Sequence, residues 1–124
     1  MNITIKTIPK SEMRFDDAGD WFFDDSGNLQ IRVADMGNWK YEFLVADHEL
    51  HEALLCFDRD ITTQQADDFD KQFEKENKDK RLHAGDDINC PYKEEHFTAG
   101  IIERIMSGEL DINWQIYDDF LETF

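Results

Sequence analysis

Phe43-Leu-Val-Ala-Asp-His-Glu-Leu-His-Glu-Ala-Leu-Leu-Cys-Phe57 is the stretch on which the fold turns. At about 100° per residue, Phe43, Leu44, Ala46, Leu50, Ala53, Leu54, Leu55 and Phe57 cover most of a helical circumference. A helix that is apolar nearly all round is buried nearly all round, so these residues predict a central helix enclosed by the rest of the chain. One narrow stripe interrupts that surface. Val45, His48, Glu49, Glu52 and Cys56 fall within a sector of roughly 100°. His48 and Glu52, four apart, sit one above the other. Asp47 and His51 point to a different side, expected to be the solvent edge. Burying the ions of the stripe unpaired costs on the order of several kcal/mol each. A cation, a metal ion, buried hydrogen-bond partners or exposure in a cleft must compensate.

Upstream, Asn2-Ile-Thr-Ile-Lys-Thr7 alternates apolar and polar residues, the period of a half-buried strand with Ile3 and Ile5 inward. Pro9 ends it, and residues 10–19 read as a loop. Asp20-Trp-Phe-Phe-Asp24 and Leu29-Gln-Ile-Arg-Val33 flank Asp25-Ser-Gly-Asn28, a hairpin signal with Leu29, Ile31 and Val33 on one face. Asp35-Met-Gly-Asn38 breaks the pattern, and Asn38 can cap a helix from Trp39 to about Phe57.

Downstream, Thr62 or Thr63 caps a second helix to about Asn77, whose core stripe is Ala66, Phe69 and Phe73. Lys78 to Asn89 is polar and contains Gly85-Asp-Asp87, a loop. Pro91 suits a helix start, and the third helix runs to about Met106. Asp111 is expected to cap a short last helix presenting Trp114, Tyr117, Leu121 and Phe124. Strands first and helices after predict an α+β fold. The expectation is one domain over residues 1–124: a small three-stranded antiparallel sheet packed on a buried central helix, with two or three further helices.

Composition bounds the function. The chain has 124 residues, 40% hydrophobic and 13% aromatic, enough apolar material for one modest core. Its net charge is −16, with 29 acids against 13 bases spread along the whole length. Such a surface repels phosphates, which argues against direct nucleic-acid binding. It favours solubility, cations or a partner with a basic surface. No run approaches the roughly 20 apolar residues of a membrane span, and no secretory leader is apparent. The expected compartment is the reducing cytoplasm, with Cys56 and Cys90 free.

A metal suits the polar stripe. Two ligands four apart on a helix can meet one ion, and imidazole and carboxylate both suit zinc. His48 and Glu52 are the first two candidate ligands, and Glu49 could then act on a water as general base. On the third helix Tyr92, His96, Ala99 and Glu103 share one face, and the small Ala99 and Gly100 permit close helix approach. His96 becomes the third candidate ligand, with Glu103 and Cys56 in reserve. His83 reads as a solvated loop residue, and Asp86 and Asp87 as caps or ion ligands. There is no phosphate-cradling glycine loop, CxxC pair or Ser/His/Asp signature.

His48-Glu-Leu50 followed by His51, Glu52 and Ala53-Leu54 resembles the active helix of zincin metallopeptidases, with Glu52 in the place of the second His. That resemblance implies ligand roles for His48 and Glu52 and a water-activating role for Glu49. A longer resemblance spans nearly the whole chain. Gly19-Asp-Trp21, Leu29-Gln-Ile-Arg-Val33, Asp35-Met-Gly37, His48-Glu-Leu50, Glu52-Ala-Leu-Leu-Cys56, Gly85-Asp-Asp87, Pro91-Tyr92 and Glu95-His96 look like an uncharacterised family of small phage and prophage proteins. It implies a phage-like origin, a host-cell cytoplasmic setting and no mechanism. Two function classes follow. One is a zincin-like metal-binding protein, in the direction of a metal-dependent hydrolase. The other is a non-enzymatic acidic interaction protein, an inhibitor of a basic host protein or a DNA mimic, with His48, Glu52 and His96 as a core polar network. A structural phage component is a third reading.

Overall fold

In the computed structural model, which describes residues 1–79 and 81–124, the chain is α+β. The strands are β1 (Ile3–Ile8), β2 (Gly19–Phe23) and β3 (Leu29–Ala34). The helices are α1 (Trp39–Asp58), α2 (Thr63–Glu76), α3 (Lys93–Glu109) and α4 (Trp114–Thr123). Single 3₁₀ turns occupy Lys10–Glu12 and Ala84–Asp86.

The β2–β3 hairpin forms where the turn chemistry places it. The Asp24 carboxylate accepts from the backbone N–H groups of Ser26 and Asn28, and Gly27 adopts a φ of 77°, open to glycine at no steric cost. The expectation of a purely antiparallel sheet is corrected. The order is β1-β3-β2, with β2 antiparallel and β1 parallel to β3. Alternation in a strand fixes its faces but not its partner. The long connection from Pro9 to Ala18 carries the chain past the slot that β3 later fills. β3 is therefore the central strand, and Leu29, Ile31, Val33 and Ala34 are almost wholly buried.

Ile3 and Ile5 are a second correction, since both stay about half-exposed. Ile5 does face the helical layer beside α1. β1 is an edge strand, however, and among the described residues no strand pairs with its outer side.

α1 is packed against the sheet on one side and against α3 on the other. Asn38 caps it, accepting from the N–H groups of Lys40 and Tyr41. Leu44, Ala53 and Cys56 are fully enclosed, while the terminal Phe43 and Phe57 remain exposed, so burial is less complete than the apolar wheel implied. Asp47 departs from its expected solvent edge, because its side chain is only 13% exposed. Ala99 is fully buried where the two helices approach. Gly100 is not needed for that approach, since open space surrounds the position of an added Cβ.

α2 carries a full capping box between Thr62 and Gln65. α4 is capped by Asn113, not Asp111. Asp111 instead takes the left-handed region (φ 56°) just past the end of α3, a common way for a helix to terminate. Arg14 anchors the first connection by pairing with Asp20 at 2.6 Å and Asp67 at 3.0 Å. No helix among the described residues is long and apolar enough to cross a membrane.

Candidate metal centre

His48 and Glu52 project from α1 and His96 from the first turn of α3. Three donor atoms converge: His48 Nε2, Glu52 Oε2 and His96 Nδ1. Their separations are 3.1 Å between His48 and Glu52, 3.1 Å between the imidazoles, and 2.8 Å between His96 and Glu52. Zinc bonds of about 2.0–2.2 Å at tetrahedral angles would set such atoms roughly 3.3 Å apart. His48, Glu52 and His96 thus form a group that could hold a metal ion.

Each of these side chains has its second polar atom anchored. His48 Nδ1 is 2.8 Å from Glu103 Oε1, and the Tyr117 hydroxyl donates to Glu103 Oε2 at 2.6 Å. The Trp21 indole N–H donates to Glu52 Oε1 at 2.8 Å. His96 Nε2 pairs with Asp86 Oδ1 at 3.3 Å. Carboxylates that hold the far nitrogen of a ligating imidazole orient the ring and raise its basicity. With those N–H groups directed outward, the two inner ring nitrogens and Glu52 Oε2 are three acceptors facing one another. Protons or a cation must sit between them.

The electrostatics follow from that crowding. Burial pulls the His48 imidazole down, but hydrogen bonds to Glu103 and Glu52 overcome it and hold the pKa well above the ordinary value. Burial likewise opposes charge on His96, and Asp86 and Glu52 raise it to about 9. Burial would raise Glu52, yet its bonds with His48 and His96 bring it down to about 2. Without a metal, these bonds favour protonated imidazoles around an ionised Glu52.

Glu49 lies in the same cavity, of about 750 Å³, that the triad and Glu103 line. It makes no side-chain hydrogen bond among the described residues. Burial first, and the nearby Glu52 charge second, hold its carboxyl well above the usual range. Two glycines let backbone approach the centre. A Cβ on Gly19 would stand 2.8 Å from Glu49 Oε1 and 2.5 Å from a Val45 methyl. A Cβ on Gly85 would stand 2.4 Å from the His96 ring.

The candidate residues therefore divide. His48, Glu52 and His96 come together, and Glu103 moves from reserve ligand to imidazole anchor. Cys56 is enclosed in the core outside the donor group, and burial pushes its thiol up. Cys90 is also buried and free, pushed up to about 12 by burial. His83 is half-buried on the cavity wall, and Asp87 closes a local turn onto Asn89. Sequence reasoning missed Trp21, Gly85 and Tyr117 as parts of the centre, and placed Asp86 there only as an open choice. Gly19-Asp-Trp21 and Gly85-Asp-Asp87 were conspicuous strings, but nothing local connects them to His48. Comparison with known protein families, curated proteins and solved structures finds no match, so the centre is read from its own geometry.

Proposed function

We propose that the chain is a metal-binding protein whose centre takes zinc on His48, Glu52 and His96 and acts as a metal-dependent hydrolase. The observation that carries this reading is the donor trio, with each member anchored from behind and open space in front. Two nitrogens and one carboxylate oxygen are a donor set found at catalytic zinc, which keeps a further position for water or substrate. Zinc bound there would supply Lewis acidity toward a water or a carbonyl. Glu49, free of hydrogen bonds and beside the trio, would take up and return the proton. A divalent charge would draw its pKa back down toward neutral, as bound cations do to nearby acids. The resemblance to small phage and prophage proteins joins the proposal as a host-cytoplasmic setting.

A second reading draws on the same network. Two imidazolium rings and their carboxylates satisfy one another without metal, which suits an acidic interaction protein with a basic host partner. Metal content of the purified protein and of His48→Ala, by plasma mass spectrometry, separates the two. Near-stoichiometric zinc, lost in the variant, supports the centre; a hydrolase screen with Glu49→Gln as the inactive control then tests the chemistry. No metal after incubation with zinc overturns the enzyme reading.

A further inference from the structure

Among the described residues β1 pairs with β3 alone. Leu29 N–H donates to Asn2 O at 2.9 Å and Asp35 N–H to Ile8 O at 2.7 Å, so the even-numbered residues of β1 face β3. Ile3, Ile5 and Thr7 consequently turn their backbone N–H and C=O groups toward the open edge. Beside that edge a groove of about 330 Å³ runs between the sheet and the first half of α1. Ile5, Thr7, Trp39, Phe43 and Asp47 line it. Its apolar side chains are unusually uncovered, with Ile5 49%, Trp39 65% and Phe43 40% exposed.

Asp47 gives the groove a charge preference. Its Oδ2 is shielded from solvent and has no hydrogen-bond partner, and it is the one such side-chain atom among the described residues. His51 meets only Oδ1, at 3.3 Å, and sits closer to the Asp47 carbonyl, at 2.7 Å. A buried carboxylate oxygen without a donor has lost its hydration with nothing in return, which favours an arriving donor. We propose that the open edge of β1 and its groove take an extended, basic segment of a partner protein as a fourth strand. Its backbone pairs with Ile3, Ile5 and Thr7, apolar side chains cover Phe43 and Trp39, and a lysine or arginine reaches Asp47. Strand addition of this kind draws affinity from main-chain bonds and selectivity from alternate side-chain pockets.

Charge argues for a basic partner over a second copy. Two copies would each bring −16. Lys6 lies on the face of β1 opposite Ile5, so a second β1 would carry no cation into the groove.

The test is an NMR titration of the isotope-labelled full chain with the capped peptide Val-Thr-Lys-Thr-Val-Thr, and with the same peptide carrying norleucine for lysine. Amide shifts centred on Ile3, Ile5, Thr7 and Asp47, with about tenfold weaker binding of the norleucine peptide, support the proposal. Asp47→Asn should erase that preference. Thr7→Pro, which removes an outward N–H and no ladder bond, should abolish the shifts. Ile3→Pro serves the same purpose should Thr7→Pro not fold. No shifts at millimolar peptide, shifts centred elsewhere, or unchanged binding by both Asp47→Asn and the proline variant overturns it. So does a wild-type dimer that the proline variant converts to monomer, which assigns the edge to a second copy.

Discussion

Trp21 donates one N–H to Glu52, and that single bond decides which carboxylate oxygen faces the imidazoles. Trp21→Phe keeps most of the ring and removes the donor. The expected result is a zinc affinity weakened by about 10–100-fold, measured by competition with a chromophoric chelator, with an unchanged far-ultraviolet spectrum. On the proposed reading the two glycines would separate metal holding from chemistry. Gly85→Ala should displace the His96 ring and cost metal, although every donor remains. Gly19→Ala should press on Glu49, keeping metal stoichiometry while lowering any hydrolytic rate. Equal metal content in wild type and Gly85→Ala would contradict the first expectation. At this scale the residues that converge were legible in the sequence and their supports were not. His48 and Glu52 share a helical face that can be read four residues apart. Trp21 and Tyr117 reach the centre only through tertiary packing, and a tryptophan in an apolar strand reads simply as core.

α1 and α3 divide the donors between them, so the helix separation sets the geometry of the centre. Ala99 is fully enclosed at that contact. Ala99→Leu should destabilise the protein by about 1–3 kcal/mol through overpacking. It should also weaken zinc binding, because the helices must part. A calorimetric melt and a chelator competition on the same sample check both, and a loss of stability with full zinc affinity would show the centre to be more compliant than this. The elements themselves were largely legible. α1, the hairpin and a threonine cap at Thr62 or Thr63 follow from periodicity, turn chemistry and side-chain oxygens at helix starts. The parallel placement of β1 was not, because pairing is chosen by where a connection can travel. Asp111 misled for a local reason: aspartate serves equally at a helix start and in the left-handed turn that ends one.

The whole molecule couples its stability to pH through the centre. His48 and His96 have raised pKa values, so their contribution is complete below the unfolded value of 6.5 and is lost as pH rises through about 9 for His96. Glu52 is depressed, so its contribution is present above about 4.5 and is lost as pH falls through about 2. Metal-free protein should therefore melt at progressively lower temperature from pH 6.5 to 9. On the proposed reading zinc would compete with the same protons and bind more tightly across that interval, so calorimetry with buffered zinc should show the decline flattened or reversed. A metal-free melting temperature that climbs over this range would contradict the charge assignment. Net charge was the most legible property of all and says least about the site, since −16 is a formal sum that takes every histidine as neutral.

Glu52 and His96 stand 44 positions apart in the chain. On the metal reading, an ion held between them would close a ring of polypeptide that contains all of α2. Such a ring would leave the opened chain less conformational freedom to gain and so favour the folded one. On the metal reading the lifetime of the folded chain then reports the free zinc around it: protease nicks within the ring appear quickly in a starved cell and slowly in a replete one.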